Sequence, residues 1–192
     1  MEECCLKDPR VIRTESLLMD SLMDLVLKEG YEAITVRKIV QKAGVNRSTF
    51  YLHFRDKQDI LNYMENYILA QLMDAMTDPT FNPETALIDF KKLGKPIGST
   101  VALFRHVEKY APLYRTMLVE RDFRARVTQS IRRELLPFLH DELDAAFGSN
   151  GIVGVIIHWL ESGMVESVEA MSLWLTRLSL CLLINTRQIF ND

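Results

Sequence analysis

Two short segments joined by a single glycine constrain the fold of this chain more than any other feature. Thr35 is a typical N-cap for the first segment, which we predict to be a helix over 36–42. Gly44 can adopt the positive φ of a sharp turn, and Asn46 is a candidate N-cap for a second helix over 47–53. Two short helices joined in this way form a helix-turn-helix unit.

The second of these helices has two chemically different sides. Phe50 and Phe54 are four residues apart and, with Val45, should pack onto the preceding helices. The other positions carry side chains that a packed core does not need: Arg47, Ser48, Thr49, Tyr51, Leu52 and His53. Because the second helix of a helix-turn-helix unit enters the major groove of DNA, these positions form our candidate nucleic-acid surface.

Basic residues are concentrated in the same part of the chain. Residues 37–57 contain six Lys or Arg and the single acid Asp56, a local charge of +5 in a chain of net charge −3. A positive patch on an acidic protein is typical of a surface that binds a polyanion, although a solvated helical face can have the same composition.

Helical periodicity extends over most of the chain, which has only 8 Gly and 6 Pro, and we expect an all-α fold. A first helix is predicted over 13–29, ended by Gly30, and a long helix over 57–76, capped by Asp56. Further predictions are helices at about 84–92, 97–109, 112–119 and 123–147, a kink at Pro137, a loop over 148–151 and two C-terminal helices.

The last predicted helix is apolar on more than one face. Trp174, Leu175 and Leu178 cannot share a narrow stripe with Leu173 and Leu180. A helix that is apolar nearly all round is buried either in a large core or against a partner. We expect burial against a partner, with a purely intramolecular core as the alternative.

Signatures of catalysis, metal binding and cofactor binding are missing from the sequence. The four histidines form neither an HExxH motif nor an i, i+4 pair, so His106 and His140 are expected to be surface or partly satisfied residues rather than ligands. No GxSxG, GxxxxGK[ST] or GxGxxG motif occurs. We therefore expect no enzyme, no metal site and no cofactor.

The cysteines and apolar runs bear on the compartment. Cys4 and Cys5 could form a redox or metal pair, but three cysteines make a poor disulfide framework. The N-terminus lacks the pattern of a signal peptide, and the longest aliphatic or cysteine run, 180–184, is too short to span a membrane. These features favour a cytoplasmic protein.

The stretch EAITVRKIVQKAGVNRSTFYLHFRDKQDIL, residues 32–61, closely resembles the N-terminal domain of the tetracycline-repressor (TetR) family of bacterial transcription regulators. The resemblance is carried by Thr-Val-x-x-Ile at 35–39, Ala-Gly-Val at 43–45, Thr-Phe-Tyr at 49–51, His-Phe at 53–54, and Lys57 followed by Leu61. It implies a helix-turn-helix domain over 1–56 and a ligand-sensing and dimerisation domain over 57–192.

The same resemblance implies a homodimer that binds a pseudo-palindromic operator in double-stranded DNA. Its expected function is transcriptional repression that a small-molecule effector releases. Two alternatives remain open: an activator or coactivator on the same scaffold, and a helical ligand-binding adaptor that no longer contacts DNA.

Individual DNA contacts follow from side-chain chemistry and from the resemblance. The guanidinium of Arg47 can bond O6 and N7 of guanine, and Thr35 and Arg37 suit a phosphate at a helix N-terminus. The resemblance implies phosphate contacts for His53 and Lys57. The complete predicted DNA-binding set is Thr35, Arg37, Arg47, Ser48, Thr49, Tyr51, Leu52, His53 and Lys57.

Effector and dimer contacts are predicted from the family architecture. In TetR-like proteins a small molecule binds among the helices after the DNA-binding domain, although aromatics at helical spacing are also typical of a core. The effector candidates are Met64, Tyr67, Phe104, His106, Tyr110, Tyr114 and Trp159. The final two helices of the family form the dimer interface, for which the candidates are Ile156, Trp159, Leu160, Trp174, Leu178, Cys181 and Leu182.

Overall fold

The computed structural model describes residues 8–139 and 141–190, with residues 184–190 described by their backbone only. Within these ranges the fold is all-α, as predicted, and no residue belongs to a β-strand. The helices are α1 (Pro9–Glu29), α2 (Val36–Ala43), α3 (Arg47–His53), α4 (Lys57–Met76), α5 (Pro83–Leu93), α6 (Gly98–Lys109), α7 (Ala111–Met117), α8 (Arg121–Leu135), a short 3₁₀ helix (Leu136–Phe138), α9 (Glu142–Glu161) and α10 (Val168–Phe190). Cys4, Cys5 and His140 lie outside the described residues, so the expectations for them stay predictions.

Helices α2 to α4 begin where local sequence signals predict. The Thr35 Oγ1 accepts a hydrogen bond from the Lys38 amide (3.3 Å) at the start of α2, and the Asp56 Oδ1 accepts one from the Asp59 amide (2.8 Å) at the start of α4. Gly44 follows α2 with a φ of 68°, a left-handed conformation that glycine adopts without steric cost. The helix-turn-helix prediction is therefore confirmed at the level of the backbone.

Two local predictions are corrected. α1 begins at Pro9, earlier than the predicted 13, because the Asp8 Oδ1 accepts a hydrogen bond from the Arg10 amide and proline is favourable in the first turn. Asn46 is at the N-cap position of α3, but its side chain makes no capping hydrogen bond.

The first helices share one apolar core. α1 packs against α2 and α3, and α2 packs against α3. Leu18, Leu22, Ile39 and Phe50 are fully buried, and each such side chain stabilises the fold by roughly 1.5–3 kcal/mol. Phe50 thereby fixes the orientation of α3 and leaves the opposite side of that helix facing solvent.

The later helices form a second core around α9 and α10. α9 packs against α7 and α8, and α10 packs against α5, α6 and α9. The rings of Trp159 and Phe104 meet edge to face with centroids 5.3 Å apart. Polar groups connect α6 to α10, because the buried Thr176 Oγ1 accepts from the Ile97 amide (2.9 Å) and lies 3.0 Å from the Thr100 Oγ1.

The predicted single helix over 123–147 is wrong. α8 ends before Pro137, which lies in the short 3₁₀ helix, and a separate helix, α9, follows. The Asp141 Oδ1 accepts from the Leu143 amide (2.8 Å) and so caps the start of α9. Pro137 ends the first helix, and the N-cap that follows it starts a second one. A kink would instead have left one continuous helix.

The predicted loop over 148–151 is also wrong, because this stretch lies inside α9. A Cβ added at Gly148 would lie 3.2 Å from Leu135 Cδ1 and 3.4 Å from Leu182 Cδ2. The glycine therefore allows α8 and α10 to approach α9 closely. Packing of this kind compensates for the roughly 1 kcal/mol that glycine costs within a helix.

The chain divides into two compact units, the first ending at Tyr67 and the second beginning at Ile68. The division falls inside α4, so the beginning of α4 belongs to the first unit and its end to the second. The predicted domains, 1–56 and 57–192, assign all of α4 to the second domain, and this functional division stays a prediction.

Among the described residues one helix, α9, is long and apolar enough to cross a membrane by length and composition. It packs against α7, α8 and α10, and one face of it is buried by the chain itself. Packing within the chain therefore accounts for the apolar residues on that face of α9.

Candidate nucleic-acid interface

The solvent-facing side of α3 presents a compact set of predicted DNA contacts. Arg47, Ser48 and Tyr51 are exposed, and Leu52 is 83% exposed at the end of the helix. Phe50, between them in sequence, is 0% exposed and anchors the helix from behind. The structure thus brings polar, basic and apolar groups to one face of a rigidly held helix.

Arg47 and Tyr51 interact one helical turn apart. The Arg47 Nη2 donates to the Tyr51 hydroxyl (3.1 Å), and its guanidinium carbon lies 5.5 Å from the centre of the Tyr51 ring. This contact uses one of the five N–H groups of the guanidinium. The remaining donors are available for a partner outside the chain.

The six basic residues of 37–57 are less free than the sequence suggests. Three of them form ion pairs with acids on neighbouring elements or the next turn: Lys38–Glu29 (2.6 Å), Lys42–Asp24 (3.0 Å) and Arg55–Asp59 (3.2 Å). Hydrogen bonding from Lys42 lowers the pKa of Asp24, and hydrogen bonding from Arg55 lowers the pKa of Asp59. The local charge of +5 therefore overstates the positive charge that this surface offers to a polyanion.

Lys57 is held against Tyr31. Its Nζ donates to the Tyr31 carbonyl (3.1 Å) and lies 4.1 Å from the centre of the Tyr31 ring. Burial and nearby acids, with Glu32 the largest contributor among them, raise the pKa of Tyr31 to about 12. An ammonium has three donors, so Lys57 can contribute to stability within the chain and still bind a phosphate.

His53 faces a buried carboxylate rather than open solvent. Its Nδ1 lies 3.7 Å from the Glu15 Oε1, while the Tyr63 hydroxyl donates to the Glu15 Oε2 (2.9 Å). Burial and this hydrogen bond to Glu15 raise the pKa of Tyr63 to about 12. Glu15 and Tyr63 were missed from sequence, although Glu15 lies one turn before Leu18 on the apolar face of α1, where an acid is unexpected.

The start of α2 supplies two further predicted contacts. Thr35 and Arg37 are both exposed. The Thr35 hydroxyl accepts from the Lys38 amide, and hence its own O–H group remains available as a donor. Thr49, on α3, is half-buried.

The predicted effector residues separate into groups. Met64 is buried and Tyr67 exposed in the first unit, whereas the other five belong to the second. Phe104 and Trp159 contact each other in the second core. Three more form a cluster of rings, in which His106 lies 4.9 Å from Tyr110 and 5.9 Å from Tyr114.

Burial separates the predicted dimer residues. The structure buries Ile156, Trp159 and Leu160 inside the chain, and their assignment to a partner interface stays a prediction. Trp159 is fixed there by its indole N–H, which donates to the Glu166 carbonyl (2.9 Å). The nearly continuous apolar sequence of α9 does not show which side of the helix faces the core.

Part of the predicted interface remains exposed. Trp174, Leu178 and Cys181 lie on the outward side of α10, at i, i+4 and i+7, and Leu182 is half-buried. Sequence reasoning missed the corresponding stripe on α9, where Leu143 and Phe147 are exposed. Exposed glycines continue that stripe at 151 and 154.

Two family models match this chain. "Bacterial regulatory proteins, tetR family" matches residues 18–64, and "Transcriptional regulator C-terminal region" matches residues 95–180. Together they include the helix-turn-helix unit and most of the second unit.

Individual transcription regulators are also similar to this chain. The uncharacterised HTH-type transcriptional regulator YxbF of Bacillus subtilis is 24% identical over 171 residues, which are 86% of this chain and 44% of YxbF, so the chain spans less than half the length of that relative. The structure of the dihydroxyacetone kinase operon activator DhaS has a TM-score of 0.63 at 18% identity and covers 93% of this chain and 98% of DhaS. SmeT, the repressor of the Stenotrophomonas maltophilia multidrug efflux pump SmeDEF, has a TM-score of 0.63 at 14% identity and covers 88% of this chain and 91% of SmeT. At these identities the structural likeness shows the fold.

A recognition helix that is anchored by a buried core and exposes polar and basic groups is typical of helix-turn-helix proteins, and α3 has this arrangement. With both units matched, the chain belongs to the TetR family of bacterial regulatory proteins.

Proposed function

We propose that this chain is a sequence-specific DNA-binding transcriptional regulator. The observation that carries the proposal is the outward face of α3, where Arg47 and Tyr51 are paired beside Ser48 and the exposed Leu52, on a helix anchored by the buried Phe50. Family membership supports the same function. The proposal includes no catalytic step, and it assigns the protein to the cytoplasm, where its DNA is.

The exposed side chains have complementary chemistry for a major groove. Arg47 would bond O6 and N7 of a guanine, and Leu52 would contact the methyl group of a thymine. Arg37, Thr35 and Ser48 would hold phosphates or sugars and so fix the register of α3 on the duplex.

We further propose that the active species is a homodimer that forms through α9 and α10. The exposed stripe of Leu143, Phe147 and two glycines on α9, and that of Trp174, Leu178 and Cys181 on α10, are apolar surfaces of the kind that an interface covers. A two-fold dimer presents two α3 helices to a pseudo-palindromic operator, with half-sites roughly 34–36 Å apart.

The sign of regulation is proposed to be repression that a small-molecule effector releases. DhaS is named an activator and SmeT a repressor, and both have this fold, so the fold itself does not set the sign. An effector weakens DNA binding only if it binds more tightly to a conformation of the protein that DNA does not favour. The coupling free energy between the two ligands is typically ~1–3 kcal/mol. Effector and operator should therefore weaken each other's binding by the same factor.

Electrophoretic mobility shifts with the intergenic DNA next to the gene test the proposal. The wild-type chain should bind a discrete fragment, and Arg47→Ala should weaken that binding by about 1–3 kcal/mol and relax the preference at one position per half-site. Arg124→Ala is the matched control, because Arg124 is an exposed arginine on α8 and should leave binding unchanged. Failure of the wild-type chain to select any sequence from a random duplex library would favour the adaptor alternative.

A further inference from the structure

Two neighbouring rings in the second unit each carry a buried polar atom without a partner among the described residues. The two atoms are the Nε2 of His106, on α6, and the hydroxyl of Tyr114, on α7. His106 is 8% exposed and Tyr114 is 1% exposed, and their rings lie 5.9 Å apart. A buried polar atom without a hydrogen bond is costly, and native proteins tolerate few of them, so a pair on neighbouring rings requires an explanation, such as a bound ligand group or a buried water.

The charge of this pair is fixed by its surroundings. Burial and the positive charge of Lys109 lower the pKa of His106 to about 4, although a hydrogen bond to the backbone of Ile68 acts in the opposite direction. Burial raises the pKa of Tyr114, with Tyr110 adding to the effect. Both side chains are therefore neutral near pH 7.

Neutrality determines what each atom can do. A neutral imidazole has one N–H and one acceptor nitrogen, and Nε2 is the ring nitrogen of His106 that lacks a partner among the described residues. In the tautomer that carries its proton on Nδ1, Nε2 is a hydrogen-bond acceptor. The phenol of Tyr114 can donate and accept. In that tautomer the pair offers one acceptor and one donor to a third group.

Tyr110, next to this pair, shows the contrast. Its hydroxyl donates to the Gln71 Oε1 at 2.9 Å, and its ring lies 4.9 Å from that of His106. Tyr110 thus lines the same cluster with its polar atom already bonded.

We propose that His106 and Tyr114 bind the hydroxyl group of an uncharged small molecule, which donates to His106 Nε2 and accepts from the Tyr114 hydroxyl. A ketone or ether cannot donate, and a carboxylate or ammonium would bring a charge that this neutral pair does not compensate. The surrounding aromatic rings suit a molecule whose other atoms are apolar or aromatic. They include Phe123, whose ring centre lies 6.4 Å from that of Tyr114. This inference rests on the proposed function, because it names the chemical class of the effector.

Phenol and anisole are suitable probes, since they differ in whether the oxygen can donate. Their dissociation constants for the full chain would be measured by NMR titration without DNA, together with the ¹⁵N shift of the His106 Nε2. Phenol should bind roughly three- to tenfold more tightly than anisole, the equivalent of one net hydrogen bond, and should move the Nε2 resonance.

Two variants with the same chemical change separate the proposed site from its neighbour. Tyr114→Phe should weaken phenol binding by a similar factor, whereas Tyr110→Phe should keep the preference for phenol, with circular dichroism checking that both variants are folded. Equal binding of the two probes, no saturable binding of phenol, or equal effects of the two variants would overturn the proposal and leave a buried water as the partner of the pair. DNA binding is measured separately, so a chain that binds operator DNA but not phenol refutes only this inference.

Discussion

The stability effects of Tyr114→Phe and Tyr110→Phe should have opposite signs. Each variant removes one hydroxyl from a buried ring, but the Tyr110 hydroxyl donates to Gln71 and the Tyr114 hydroxyl has no partner among the described residues. Losing the Tyr110 bond should cost about 1 kcal/mol of unfolding free energy. Removing the unsatisfied Tyr114 hydroxyl should instead stabilise the fold by about 1 kcal/mol, because its burial without a partner costs ~1–3 kcal/mol.

The two variants should therefore differ by about 2 kcal/mol, or roughly 4–8 °C in melting temperature for a chain of this size. Urea unfolding followed by circular dichroism, at equal protein concentration and pH 7, measures the difference. A Tyr114→Phe variant less stable than wild type would refute the reasoning, since the hydroxyl would then have a partner. Equal losses for both variants would do the same.

Three further predictions concern salt, assembly and pH. Arg37→Ala should flatten the salt dependence of DNA binding by about one counterion and leave thermal stability unchanged. Lys57→Ala should also lower thermal stability, because the Lys57 ammonium has partners within the first unit. Equal melting temperatures for Lys57→Ala and the wild type would contradict the stabilising role of Lys57. Trp174→Glu combined with Leu178→Glu should give a folded monomer in sedimentation, because unpaired like charges would be buried at a two-fold contact; a dimer of native helicity would exclude this interface. Burial lowers the pKa of His106 from 6.5 to about 4, so the unfolded chain binds a proton at a higher pH than the folded chain does. The free energy of unfolding should therefore fall by up to about 3 kcal/mol as the pH drops from 6.5 to 4. His106→Phe should flatten that decline, and an unchanged pH profile in this variant would show that another group causes it.

Local sequence signals were sufficient for the helix-turn-helix unit. Thr35 and Asp56 cap their helices as predicted, and Gly44 has the left-handed conformation that the turn requires. These features depend on residues within four positions of one another, so the sequence contains the whole physical cause. The failed capping role of Asn46 shows that such a signal places a helix boundary without guaranteeing the hydrogen bond.

The sequence predicted the composition of the candidate interface but not the state of its charges. Counting residues over 37–57 gives +5, yet acids from outside that range, Glu29, Asp24 and Asp59, lie against three of the cations. A charge count along the chain cannot include partners that folding brings from other elements.

By itself, the sequence determined the helical class, the first residues of α2 to α4 and the identity of the side chains on α3, because capping, glycine turns and helical periodicity act over a few residues. Tertiary structure alone decided that residues 148–151 continue a helix, and close packing of α8 and α10 at Gly148 offsets the cost of that glycine within a helix. It likewise decided that Trp159 is in the core, and that His106 Nε2 and the Tyr114 hydroxyl are buried without a partner among the residues that the structure describes. Burial and hydrogen-bond satisfaction depend on which distant segments meet, and this is a property of the folded chain rather than of any short stretch of it.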